Sequence, residues 1–103
     1  MKKSERIAPD AQKNHRYYLK LYVAGNELNS QLARENLKII CNKYLKDECQ
    51  IEEIDVLADF VSAMKDKIFV TPSLILMAPE PKVTIIGNLS NIEEVTSALR
   101  LRI

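Results

Sequence analysis

Two cysteines, one histidine, a cluster of acids and a Thr-Pro pair are the residues whose chemistry would matter if this chain were an enzyme. Cys41 and Cys49 stand eight positions apart with Asp47 and Glu48 between them. That spacing matches neither the CxxC of dithiol redox motifs nor the ligand spacing of zinc sites. They read as small buried hydrophobes of a reducing compartment. His15 is the single histidine and falls in a polar N-terminal stretch, so a Ser-His-Asp or Cys-His arrangement would rest on a poorly anchored residue. Glu52, Glu53 and Asp55 lie within one short strand-like segment, where neighbours point to alternating faces, and read as solvated edge carboxylates and not as a metal cage. With glycine only at positions 25 and 87, no loop is available to cradle phosphates. The expectation is a protein with no cofactor, no metal and no catalysis of its own.

The elements that would position these residues follow from apolar spacing. Tyr17 to Ala24 (YYLKLYVA) is aromatic and aliphatic and ends at Gly25-Asn26, which predicts a mostly buried strand closed by a turn. Asn29 or Ser30 is placed to cap a helix in which Ala33, Leu37, Ile40, Cys41 and Tyr44 form one stripe, leaving Arg34, Glu35, Lys38 and Lys43 wet. Ile51 to Leu57 reads as a second strand, and Ala58 to Lys67 as a helix with Phe60, Val61, Met64 and Ile68 at helical intervals. Ser73 to Met77 and Lys82 to Ile86 suit an antiparallel hairpin around Ala78-Pro79-Glu80-Pro81. Ser90 or Asn91 then caps a last helix with Glu93 and Glu94 in its first turn and Ile92, Val95, Ala98 and Leu99 inward. A strand, helix and strand in succession imply a right-handed parallel crossover. The order βαβαββα, with Thr71-Pro72 before the third strand, is that of a single α/β domain of the thioredoxin-like fold; in that fold Pro72 is expected to follow a cis bond.

A chain of 103 residues fits one such domain. Residues 1–16 carry no periodicity and read as a flexible leader, with the domain over 17–103. The net charge of +1 comes from interspersed ions, which argues against nucleic acid or anionic lipid as partners. The basic run Lys2, Lys3, Arg6, Lys13 and Arg16 reads as a solvated tail. The longest apolar stretch, Leu74 to Ala78, is strand-sized, so no membrane span is expected; Ser4, Glu5, Arg6 and Asp10 stand where a signal peptide is apolar, which points to the cytoplasm.

Six pieces then fall in one order over most of the domain: LKLYVAGN (Leu19 to Asn26), Asn29-Ser30, IDVL (Ile54 to Leu57), DKI (Asp66 to Ile68), TPSL (Thr71 to Leu74) and IIGNLSN (Ile85 to Asn91). In order and spacing they resemble the KaiB family of circadian-clock proteins from Tyr17 to about Leu101. The resemblance implies a regulatory module that binds the hexameric ATPase KaiC, modulating its phosphorylation or ATPase state in a clock or in stress adaptation, with a KaiA-like protein as a weaker candidate partner. It also implies two folds: a thioredoxin-like monomer that binds KaiC, and a rearranged βαββααβ state that assembles into tetramers, so the free protein is expected to be a dimer or tetramer. Lys67 matches a family lysine and is the candidate for pairing with acidic groups of KaiC; Gly87 and Asn88 are the candidate joint of the switch. The chain departs from the family at Asn88, which replaces an Asp, at Ala58-Asp59-Phe60, which replaces Lys-Asn-Pro, and at Leu32, which replaces an Arg; it ends at Ile103 without the acidic tail of many clock proteins. These departures weigh against KaiA binding more than against KaiC binding.

Two segments carry mixed local signals in their own right. Leu99 to Ile103 alternates like a strand, yet Leu99 continues the helical stripe of Ile92 and Val95. Ser73 to Met77 is strand-length but built mostly of helix-favouring Leu and Met.

The rivals are a thiol-disulfide oxidoreductase of the same fold and a monomeric KaiB-like sensor module competing for KaiC. The first needs a thiol at the start of the first helix, where the free amides and dipole stabilise a thiolate. Glu27, Leu28, Asn29 and Ser30 stand there instead, with Cys41 about three turns in and Cys49 beyond the helix end.

Overall fold

The computed structural model describes residues 16–46 and 48–100. The leader before Arg16, with His15 and most of the basic run, and the last three residues of the C-terminal alternation lie outside the described residues. The elements follow as β1 (Tyr17–Val23), α1 (Leu28–Tyr44), β2 (Cys49–Asp55), α2 (Phe60–Lys65), β3 (Ser73–Ala78), β4 (Val83–Ile86) and α3 (Ile92–Ala98). The sheet order is β2-β1-β3-β4; β1 runs parallel to β2 and antiparallel to β3, and β3 is antiparallel to β4. This is the βαβαββα order, with its crossover and hairpin.

Period-two alternation in β1 and β3 divides the interior. Leu19, Leu21 and Val23, with Leu74 and Leu76, face α1 and α3 and join Ala33, Leu37, Ile40, Cys41, Val95 and Leu99 in the larger core. Tyr22 and Ile75 face the other way and meet Ile54 and Ala63 in a much smaller one.

The polar members of β1 on that second face decide how α2 sits. Lys20 Nζ donates to Asp66 Oδ2 at 3.2 Å, and the buried Tyr22 hydroxyl donates to the same oxygen at 2.5 Å and lies 3.1 Å from the Ser62 carbonyl. The inward side of α2 is therefore Ser62, Ala63 and Asp66, one helical face at spacings of one, three and four. This corrects the reading by apolar spacing: Ile68 packs against the small core, but Phe60, Val61 and Met64 are exposed. A buried hydroxyl and a part-buried ammonium need partners more than a helix needs its largest apolar residues inside, since an unmet buried polar group costs on the order of 1–3 kcal/mol.

Two further corrections are local. The cap of α1 is Glu27, whose carboxylate accepts from the Ser30 amide at 3.1 Å; Ser30 sits inside the first turn, fully buried, its Oγ accepting from the Ala24 amide. The longer Glu side chain reaches the same free amide that a shorter cap would. Arg34 is half-buried and not simply wet, donating Nε to Glu53 at 2.7 Å and Nη2 to the Gly25 carbonyl at 2.8 Å. The last helix takes Asn91 as its cap, its side chain accepting from the Glu94 amide, and Leu99 closes it as a buried residue, so the helical reading holds up to Leu99, while Arg100 turns into the left-handed region at φ +58°.

Candidate functional site

α2 is six residues long and is fixed at both ends by its sequence. Asp59 caps its start, with its carboxylate accepting from the Ser62 amide at 3.0 Å and from the Ser62 hydroxyl at 2.8 Å. These bonds hold the Asp59 carboxyl below its usual range. At the other end the Lys67 amide bonds the Met64 carbonyl at 3.1 Å and the Ile68 amide bonds the Ala63 carbonyl at 2.8 Å, the paired closure of a Schellman motif. Lys67 occupies the left-handed position of that motif, φ +58°, and its side chain is exposed.

With Ser62, Ala63 and Asp66 turned inward, the outer side of α2 and the segments flanking it present large apolar side chains. Leu57, Phe60, Val61, Met64, Phe69 and Val70 are each more than half exposed, Phe69 reaching 88%. Phe60 and Phe69 also line a groove of about 220 Å³ together with Val56, Ala63, Ile68 and Thr71. Large apolar side chains exposed in such number within residues 57–70 of a small domain point to an interaction site. A larger depression, about 500 Å³, lies along α1 among Asn26, Gln31, Arg34, Glu35 and Lys38; its lining residues are polar or charged types, and Arg34 is already committed to Glu53.

Asp66 anchors the floor of the apolar face. Burial works to raise its pKa, but the bonds from Tyr22 and Lys20 and the Lys20 charge outweigh it and leave the carboxyl below its usual range. Tyr22 is pushed the other way, upward, first by burial and then by its bond to Asp66. A hydroxyl that has given its hydrogen bond to a carboxylate gives up its proton reluctantly.

The Thr71-Pro72 bond beside the groove is cis, as are Ala78-Pro79 and Glu80-Pro81. The Pro72 carbonyl accepts from the Gly87 amide at 2.9 Å, which ties this turn to the joint between β4 and α3. Gly87 has φ +118°, a conformation that L side chains rarely adopt. Asn88 spans the joint: its Nδ2 donates to Asn29 Oδ1 at 3.1 Å, its Oδ1 accepts from the Ser90 amide at 3.0 Å, and its carbonyl accepts from Asn36 Nδ2 at 2.8 Å. Two residues of α1 thus clasp the joint, a contact that no local sequence signal announces because the partners are more than fifty positions apart.

Lys67, Pro72, Gly87 and Asn88 accordingly divide into two groups: Lys67 lies with the exposed apolar face, while Gly87 and Asn88 form the joint, linked to it through Pro72. The acids of β2 do not converge. Glu52 accepts from the Tyr18 hydroxyl at 2.6 Å, Glu53 pairs with Arg34, and Asp55 organises the turn by accepting from the Gly25 and Leu57 amides. Asp55 is in this respect a structural acceptor and not a solvated edge carboxylate. The cysteines also depart from expectation: Cys41 and Cys49 form a disulfide across the α1-to-β2 return, where parallel pairing of Tyr17 with Cys49 brings the chain back beside the end of α1. The helix-to-strand return between them is the signal that would have put the two thiols together.

Comparison with known proteins places this arrangement. Among solved structures, the N-terminal domain of Synechococcus elongatus SasA superposes with a TM-score of 0.69 at 19% identity, covering 84% of this chain and 85% of that one. The germline thioredoxin Deadhead of Drosophila melanogaster superposes with a TM-score of 0.69 at 11% identity, covering 94% and 90%. These fix the fold as thioredoxin-like. The circadian clock protein KaiB3 of Synechocystis sp. is 44% identical over 85 residues, 82% of this chain and 83% of its own length. The KaiB domain profile matches residues 20–101, a span that holds α2, the apolar face and the Gly87 joint, and the chain belongs to the KaiB family of circadian clock proteins.

Proposed function

We propose that this protein is a regulatory binding module that engages a KaiC-type ATPase through the outer face of α2 and acts on its phosphorylation or ATPase state without catalysing a reaction itself. The observation that carries this is the exposed apolar surface of Leu57, Phe60, Val61, Met64, Phe69 and Val70 with Lys67 at its border. Apolar anchors would supply the binding energy, and the lysine would steer the approach of an acidic partner surface. The protein works in the cytoplasm, as a dimer or tetramer in the free state, with the thioredoxin-like fold as its binding form. If that form is the minor one, association is slow, because apparent affinity falls by the populated fraction. A KaiA-like protein is a secondary partner.

Titration of the full chain against the hexameric KaiC-type protein of the same organism, read by interferometry, tests this. Lys67→Glu is expected to weaken binding about tenfold with an unchanged circular dichroism spectrum, mostly through the association rate. The double change Phe60→Ser, Met64→Ser is expected to weaken it by more than tenfold. No binding at tens of micromolar after overnight incubation would remove the proposed function and leave the fold.

A further inference from the structure

The junction between α1 and β2 holds a feature that the binding face does not use. Cys41 lies in the last turn of α1, buried in the larger core, and Cys49 is the first residue of β2, half-buried; a disulfide joins them with their Cα atoms 6.7 Å apart. Among the described residues no cysteine is free. β2 is an edge strand, paired to β1 alone, and Cys49 is the register partner of Tyr17 at the very start of that pairing. Cys49 also packs against the larger core, and few further ties are made in the return before it. The Tyr17 amide bonds the Glu48 carbonyl at 3.1 Å, the Glu48 amide bonds the Leu45 carbonyl at 2.8 Å, and the Arg16–Glu48 ion pair at 3.4 Å is largely exposed. An exposed pair of that kind holds little. The covalent bond thus adds a restraint at the point where the edge strand begins, beside its ladder with β1 and the packing of Cys49 on the larger core.

Position also decides which role the pair can play in exchange chemistry. At a helix C-terminus the dipole disfavours a thiolate, the reverse of the helix-start site that activates one. Cys41 is therefore no attacking nucleophile, and the pair is a substrate for another thiol. Of the two residues, Cys49 is the less buried, and its sulfur is the one we assign to an incoming thiolate. We propose that Cys41–Cys49 is a reversible thiol-disulfide modification site, reduced by a dithiol of the small-molecule or protein class, whose oxidised state fixes the start of β2 and whose reduced state lets it fray. One thiolate of the reductant attacks Cys49 Sγ; the bond between the two protein sulfurs breaks, and Cys41 leaves as a thiolate and takes up a proton. The second thiol of the reductant then attacks its own partner in the mixed disulfide, releasing Cys49 as a thiol. The protein gains two electrons and two protons, and the dithiol becomes a disulfide.

The full chain, equilibrated in graded ratios of reduced to oxidised dithiothreitol, then alkylated and weighed intact, tests this without any substitution. The expected result is one transition from no label to two, with no singly labelled species accumulating and no doubled mass. Cross-linking a loop of this size changes the folding equilibrium on the order of 50- to 100-fold, so the reduced form should melt about 10 °C lower. Amide exchange at residues 48–51 should be at least about tenfold faster in the reduced form. Cys49→Ser should show the fast exchange in every buffer. Full labelling even under oxidising conditions, a bond between two chains, or equal exchange at 48–51 in the two states would each overturn the proposal.

Discussion

Gly87 and Lys67 occupy backbone conformations of the same sign, one with the residue suited to it and one without. At Gly87, φ +118°, a Cβ would meet nothing within 4 Å, so the cost of a side chain there is conformational and not steric. At Lys67, φ +58°, an L side chain already bears the left-handed cost because the Schellman closure of α2 demands it. Opposite outcomes are expected from opposite substitutions: Gly87→Ala should lower the unfolding free energy by about 1 kcal/mol, and Lys67→Gly should raise it by about 0.5–1 kcal/mol. Urea titrations of the two variants, with unchanged slopes, check both, and equal midpoints would show that neither position is conformationally special. Gly87 was legible in the sequence, because an isolated glycine after a strand marks such a joint. The helix-end role of Lys67 was not, because a lysine says nothing about φ and the motif exists only once Ala63 and Met64 have been placed.

Among the elements, α2 is where apolar spacing failed and polar chemistry explains the failure. The strand and helix order, the parallel crossover, the hairpin and the α1 stripe follow from period and turn residues alone. The facing of α2 does not, because it is set by Lys20 and Tyr22 on a strand some forty positions earlier. That lock should also show in the pH dependence of stability. Asp66 has a folded pKa below its unfolded one, so its contribution is complete above about pH 4 and is lost as pH falls through the lower folded value. Tyr22 has a folded pKa above its unfolded one, so its contribution is complete below about pH 10 and is lost as pH rises beyond it. Tyr22→Phe should cost about 1–2 kcal/mol at neutral pH, and above pH 10 the variant should lose less stability with rising pH than the parent does. Thermal unfolding from pH 3 to 11 checks this, and parallel curves for the two proteins would mean that Tyr22 is not coupled to Asp66.

The molecule as a whole has a thioredoxin-like fold with both of its cysteines away from the start of α1. The start of α1 holds Glu27 to Ser30, with Glu27 as cap, while the disulfide sits at the far end of the same helix. Insulin reduction in dithiothreitol should therefore proceed no faster than the dithiothreitol blank; acceleration abolished by Cys41→Ser or Cys49→Ser would contradict this. Among the described residues the sheet divides the interior unequally, with fourteen buried apolar residues in the core on the α1 and α3 side against four on the α2 side. An engineer would see in this imbalance a division of labour. The side that carries the fold tolerates little, whereas Leu57, Phe60, Val61, Met64 and Phe69 stand mostly outside both cores and are available as a variable region. A library randomised at those five positions should yield folded proteins with altered partners, using the molecule as a scaffold whose recognition surface can be exchanged without rebuilding its core.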